Sequence, residues 1–223
     1  MVSNTEIQAE ATGADDEIRM ILLSTTGTGK SSVGNTILSR KLFEAKMAPV
    51  RVTTKCASGA RIFENKRQFI VDTLGFLDYS IKEADIQQEV AKSYQLTAVP
   101  GPHVYLLMVE PGRMLAIVHE TTDYFRKIFG PKAIDHTIVI FTHGDELEEE
   151  ETTLDDYLLQ FKSDSPIRKL LQQCDQRYLS FNNKGKDAQK NEAVRNLLKR
   201  IEDMMSKNPD KVYIKDVFEA VAK

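Results

Sequence analysis

The octet Ser24-Thr25-Thr26-Gly27-Thr28-Gly29-Lys30-Ser31 follows directly on the apolar run Ile21-Leu22-Leu23. A loop of small residues between a strand and a helix, closing on Gly-Lys-Ser, is suited to holding phosphate. Its successive backbone N–H groups can wrap an anion, and the helix that follows points the positive end of its dipole at the same place. Residues Ser24, Thr25, Thr26, Gly27, Thr28 and Gly29 would line the phosphates, with Ser32 continuing into the first helical turn. Lys30 would reach the β- and γ-phosphates, and the Ser31 hydroxyl would hold Mg²⁺. One position departs from the usual pattern: Ser24 stands where the first glycine belongs. A Cβ there adds bulk where the backbone would adopt positive φ or approach the ligand tightly, so weakened affinity is the expected effect.

Two further segments have chemistry to match. Asp72-Thr73-Leu74-Gly75 ends an apolar stretch. Asp72, at the end of a strand beside the loop strand, can hold Mg²⁺ through water, and the Gly75 N–H can approach a γ-phosphate. Phe76 follows, where many GTP-hydrolysing enzymes carry a glutamine that orients the attacking water. An apolar ring cannot do this, so slow intrinsic hydrolysis is expected. Thr142-His143-Gly144-Asp145 ends another apolar strand. Asp145 can accept hydrogen bonds from N1 and N2 of guanine, which adenine does not offer, and such a site discriminates by a factor of order 10⁴. His143 replaces the usual lysine and would lie against the base beside Gly144. The run from Asp145 to Glu151 also reads as a solvated acidic loop, with Glu148 to Glu151 on the surface.

These segments need a scaffold of alternating strands and helices, and the hydrophobic pattern supplies one. Strands are expected at 18–23, 58–63, 67–72, 104–109, 137–141 and 177–181. Helices are expected at 30–39, 83–96, around 117–129, at 153–162 and 165–174, and in a long segment carrying Val194, Leu197, Leu198, Ile201 and Met205. Continuous apolar strands such as Val104 to Val109 indicate burial on both faces. The fold expected is α/β, with three layers: a mostly parallel six-stranded sheet and helices on both faces.

A net charge of -3 argues against a broad nucleic-acid-binding face. No run of 18 apolar residues is present, so no transmembrane anchor is expected. Cys56 and Cys174 read as free thiols in a reducing, cytoplasmic setting. Residues 1–17 are polar and acidic and read as a flexible segment, 18–205 as the domain, and 206–223 as a short helical extension that packs on it or meets a membrane surface or partner. His119 and His136 read as surface residues, and His103 as a structural hydrogen-bonder.

The chain resembles the GTPases of the immunity-associated protein family (GIMAP, also called IAN), with an AIG-type G domain. The resemblance rests on Val52-Thr53-Thr54-Lys55-Cys56, Pro100-Gly101-Pro102-His103-Val104, Gly112-Arg113, Ile128-Phe129-Gly130, Phe141-Thr142 with Asp145 and Leu147, and Cys174, Arg177-Tyr178 and Phe181-Asn182-Asn183. It covers about 20 to 205. It departs at Ser24-Thr25-Thr26-Gly27, at Leu74 where the family has proline, and at Ala45. The resemblance implies a P-loop GTPase that binds GTP or GDP with Mg²⁺. Lys30 and Ser31 would bind phosphate and metal, Thr53 would meet Mg²⁺ in the triphosphate state, and Asp72 and Gly75 would complete that site. His143 and Asp145 would read guanine, with Asn182 or Asn183 closing over the base. It also implies a homodimer across the nucleotide face, in which Arg113 reaches the partner's nucleotide in place of the missing glutamine. A capping role for Arg113 is the plainer alternative. A nucleotide-dependent scaffold with little turnover, a degenerate G domain serving as an interaction module, and a small-molecule P-loop kinase are the competing functions.

Overall fold

The computed structural model describes residues 17–45, 56–75, 83–97 and 101–213. Strands and helices alternate: β1 (Glu17–Leu23), α1 (Lys30–Leu38), β2 (Ala57–Phe63), β3 (Lys66–Asp72), α2 (Glu83–Thr97), β4 (Val104–Val109), α3 (Met114–Phe129), β5 (Thr137–Phe141), α4 (Gly144–Glu149), α5 (Leu154–Leu159), α6 (Pro166–Gln173), β6 (Tyr178–Ser180) and α7 (Asp187–Lys207). Single 3-10 segments, Pro111–Arg113 and Pro131–His136, precede α3 and β5. The six strands form one sheet in the order β2-β3-β1-β4-β5-β6. All neighbours are parallel except β2 and β3. That pair is a hairpin closed by Glu64 and Asn65, both at positive φ (51° and 64°), which suits the twist of a two-residue turn.

Alternation along the strands builds the layers. In β1, Ile21 and Leu23 face a core shared with α2, α3, α5 and α6, whereas Met20 and Leu22 face one shared with α1 and α7. The same parity holds in β4, where Tyr105 and Leu107 oppose Leu106 and Met108. Three layers and six mostly parallel strands are as expected. Tyr105, Phe125 and Phe129 pack as an aromatic group, with Tyr105 5.6 Å from Phe125 edge-on and 5.0 Å from Phe129.

Several expectations need correction. β1 begins at Glu17, because Glu17 pairs with Arg67 across the β1–β3 ladder. The acidic run is not a loop throughout: Gly144–Glu149 is helix α4, with Leu147 buried and Glu148 to Glu151 exposed. His136 is not on the surface. It is 5 % exposed, at the end of a 3-10 segment that turns into β5, and Tyr213 covers it at 5.5 Å. The flexible segment expected at the N-terminus (through residue 16), the Thr53 switch segment, Phe76 and the helix expected beyond Tyr213 lie outside the described residues, as does the His119 side chain. Among the described residues no helix is long and apolar enough to cross a membrane.

Candidate functional site

The loop from Ser24 to Gly29 lies between the C-terminal end of β1 and the first turn of α1. Its left-handed positions are Gly27 (φ 85°) and Gly29 (φ 83°), where only glycine is unstrained. Ser24 is not among the residues with positive φ. It is buried and donates its hydroxyl to the Thr25 carbonyl at 2.7 Å. The departure from glycine therefore does not fall at a left-handed position of the loop. Thr28 is fixed in the same way, donating to the Thr25 carbonyl at 3.0 Å.

Lys30, Ser31 and Asp72 converge beneath this loop. The Lys30 ammonium lies 3.1 Å from Asp72 Oδ1, and the Ser31 hydroxyl donates to Asp72 Oδ2 at 2.6 Å. All three are buried, with Asp72 only 1 % exposed. Apart from that ion pair, Asp72 Oδ1 has no hydrogen bond among the described residues. The topology explains the meeting, because β3 lies beside β1 in parallel and both strands end at the same edge, with Leu22 opposite Asp72. Thr73 ties the two strand ends together, donating to the Leu22 carbonyl at 2.6 Å. Gly75 then passes directly against the phosphate loop. A Cβ added there would stand 2.6 Å from Thr26 N, closer than real contacts allow.

The segment Thr142–Asp145 abuts the other side of the loop. The Thr142 methyl would lie 3.4 Å from a Cβ placed on Gly29. His143 is in the left-handed region (φ 58°) as it leads into α4, with its Nδ1 3.0 Å from the Thr142 hydroxyl. The Gly144 N–H donates to the Phe181 carbonyl at 3.1 Å, fastening this segment to the loop after β6. In that loop Asn183 accepts from the Thr36 hydroxyl at 2.8 Å, whereas Asn182 donates to Glu148 at 2.7 Å. Asp145 is 8 % exposed, and Lys184 brings its ammonium to 2.5 Å of Asp145 Oδ2. Burial pushes the Asp145 carboxyl up, but Lys184, the Asp145 backbone and His143 together outweigh it and hold the group below its usual range.

Lys184, the ion-pair partner of Asp145, is a contact that sequence reasoning missed. The available signal is its place one residue past Asn183, combined with the missing lysine at 143. Arg113 lies in the 3-10 segment 111–113 after β4, at the same end of the sheet; its side chain and Thr53 are not described. Lys30, Ser31, Asp72, Gly75, Gly144, Asp145, Asn182 and Asn183 are thus brought to one edge by four loops. The donor set suits a hard cation. Ser31 and Asp72 offer oxygen only, and no group of three or more His, Cys, Asp or Glu residues that could hold a metal exists among the described residues. Mg²⁺ commonly takes one or two protein oxygens and completes its shell with phosphates and water. Cys56 and Cys174 are free, and burial pushes both thiols up to about 12, which excludes thiolate chemistry near neutral pH.

A model of the AIG1 family matches residues 18–223. The chain is 35% identical to Immune-associated nucleotide-binding protein 9 of Arabidopsis thaliana over 211 residues, covering 93% of this chain and 61% of that protein. It is 32% identical to GTPase IMAP family member 8 of Rattus norvegicus over 193 residues, covering 86% of this chain and 27% of the relative. The chain therefore spans less than two thirds of the length of either relative. Among solved structures, Toc33 of Arabidopsis thaliana in complex with Mg²⁺ and GMPPNP superposes with a TM-score of 0.65 at 14% identity, covering 86% of each chain. A structure of chloroplast translocon components, described under the statement that dimerization is important for their GTPase activity, gives 0.67 at 14% identity, covering 89% of this chain and 87% of that one. These two likenesses show the P-loop GTPase fold.

Proposed function

The chain belongs to the AIG1 family, and from that membership we propose that it is a guanine-nucleotide switch, slow in hydrolysis alone and faster as a homodimer joined across the nucleotide face. The observation that carries this reading is Asp72 holding both Lys30 and Ser31 beneath a glycine-kinked loop, with the Thr142–Asp145 segment packed on that loop. In this reading the loop amides from Ser24 to Ser32 and the Lys30 ammonium bind the phosphates. Ser31, Asp72 and, in the triphosphate state, Thr53 hold Mg²⁺, which when bound neutralises charge between the β- and γ-phosphates. Gly75 offers its N–H to the γ-phosphate. Asp145 accepts from guanine while His143 and Gly144 bound the base, and Asn182 and Asn183 close the pocket. The Lys184 ammonium lies beside Asp145 and favours its charged form, the one that can accept from both guanine N–H groups.

Phe76 supplies no group to orient water, so hydrolysis depends on something from outside the chain. In this reading Arg113 of a second copy supplies that group. It leaves a 3-10 segment at the end of β4, the strand beside β1. The relatives' names refer to nucleotide binding and GTPase activity, and for the chloroplast translocon components dimerization is described as important for GTPase activity. The setting proposed is cytoplasmic, with any membrane contact peripheral. The experiment is turnover measured across protein concentration. Specific activity rises with concentration in the wild type and stays flat in Arg113→Ala. Retained GDP with flat wild-type activity would point instead to a nucleotide-dependent scaffold, and absence of any nucleotide affinity to a degenerate G domain.

A further inference from the structure

The turn that carries Arg113 is held from below by a residue with no role in nucleotide binding. Tyr157, in α5, donates its hydroxyl to the Pro111 carbonyl at 3.0 Å, across 46 positions of sequence. Pro111 opens the 3-10 segment Pro111–Arg113. Among the described residues, a Cβ added to Gly112 would meet nothing within 4 Å.

Tyr157 is itself well fixed. Its ring is half-buried against the core and stands edge-on to Phe161 at 5.4 Å. Its helix begins at Thr153, whose hydroxyl oxygen accepts from the Asp156 N–H at 3.1 Å. The Thr152 N–H donates to the Leu147 carbonyl at 2.9 Å, which joins α5 to α4 and hence to the base-reading segment. Burial, with Glu150 second, pushes the phenol above its ordinary value, so it remains a protonated donor across the physiological range. A second bond runs between the same two blocks: the Thr142 N–H donates to the Val109 carbonyl at 3.0 Å. The end of β4 and the arginine turn are therefore fastened to the base-reading block at Val109 and at Pro111.

We propose that Tyr157 is a positioning residue: its hydroxyl fixes the backbone of the Pro111–Arg113 turn so that Arg113 is presented across the nucleotide face. This rests on the reading of Arg113 as an arginine supplied to a partner copy. Loss of a single hydroxyl–carbonyl bond loosens the turn without opening a cavity, so the effect falls on arginine-dependent turnover and not on binding. Tyr157→Phe is expected to lower the maximal, concentration-stimulated kcat by about three- to tenfold, the range of one hydrogen bond. GDP affinity and the low-concentration rate stay at wild-type values, and hydrogen exchange in 110–117 quickens.

The test is a double-mutant cycle of Tyr157→Phe with Arg113→Ala, read by kcat, GDP affinity and exchange. Positioning predicts that Tyr157→Phe adds nothing once Arg113 is gone. An equal loss in both backgrounds, or a loss of GDP affinity, overturns the proposal in favour of a general structural role. Wild-type kcat in Tyr157→Phe while Arg113→Ala is slow overturns it and leaves the arginine reading standing. Wild-type kcat in Arg113→Ala overturns the arginine reading, and the positioning role with it.

Discussion

The two ends of the sheet both bury charged and titratable groups, but they treat them in opposite ways. At the C-terminal ends of the strands, Lys30 and Ser31 meet Asp72, and Lys184 meets Asp145, as charges or charge-stabilised donors. At the N-terminal ends, the His103 ring accepts from the Arg19 N–H at 3.0 Å, and the His103 backbone N–H donates to the Arg19 carbonyl at 2.9 Å. The Arg19 guanidinium donates to the Gly101 carbonyl at 2.6 Å and pairs with Glu17 at 3.0 Å. Tyr213 seals that end, its N–H on the Pro102 carbonyl at 3.0 Å and its ring beside His136. Burial, then the charges of Arg19 and His136, push His103 down to about 4, and burial pushes His136 down as well. One end keeps charge where a ligand can meet it. The other disfavours added charge on its histidines and is closed by the chain itself. Parallel strands account for the asymmetry, since helix N-termini and connecting loops that can face an anion gather only at the C-terminal edge.

Removing a charge from the first end is expected to have the largest effect. Lys30→Ala loses a charge-assisted contact to phosphate and should weaken GDP binding by about 10- to 100-fold, checked by fluorescence titration. Wild-type affinity in this variant would break the contrast between the two ends. Gly75→Ala comes next. Its Cβ would meet the Thr26 backbone, so the loop must shift, with a stability loss of about 1–3 kcal/mol in thermal or urea unfolding and weaker nucleotide binding.

The closed end sets the pH dependence. Both histidines have folded pKa values below the ordinary 6.5. The unfolded chain therefore takes up protons first as pH falls. Stability is complete above about 6.5 and declines between there and about 4, where His103 protonates in the folded state as well. Urea midpoints from pH 7.5 to 4.5 should follow that slope, and His103→Gln should flatten it. A pH-independent midpoint would show that the closed end does not disfavour histidine charge.

The smallest effect is expected at Ser24. Because its φ is ordinary and its hydroxyl caps a neighbouring carbonyl, Ser24→Gly should change GDP affinity by less than about threefold, within the cost of one weak hydrogen bond. A large gain would mean that the serine does strain the loop.

The C-terminal end of the sheet is largely legible in the sequence because its signals are local. Gly29-Lys30-Ser31 after an apolar strand, Asp72 at the end of another and Thr142 to Asp145 at a third specify positions, and the parallel register brings them together. Tyr157 is not legible, because its bond to the Pro111 carbonyl joins segments 46 positions apart that no spacing encodes; Lys184 leaves only the faint signal of its place after Asn183 and the absence of lysine at 143. His136 looks like a surface residue in the sequence, since a lone histidine before a strand carries no sign of the Tyr213 lid that buries it. Helix α4 is obscured by its acidic composition, with only Leu147 to mark a buried face.

The most direct measurement is nucleotide selectivity at Asp145. Binding of GDP, ADP and XDP, each with Mg²⁺, is measured by calorimetry for the wild type and for Asp145→Asn. A guanine site gives a preference for GDP over ADP of order 10³ or more in the wild type, and a switch toward XDP in the variant. Equal affinity for GDP and ADP, or unchanged GDP selectivity in Asp145→Asn, would contradict the assignment of this edge of the sheet as a guanine-nucleotide site.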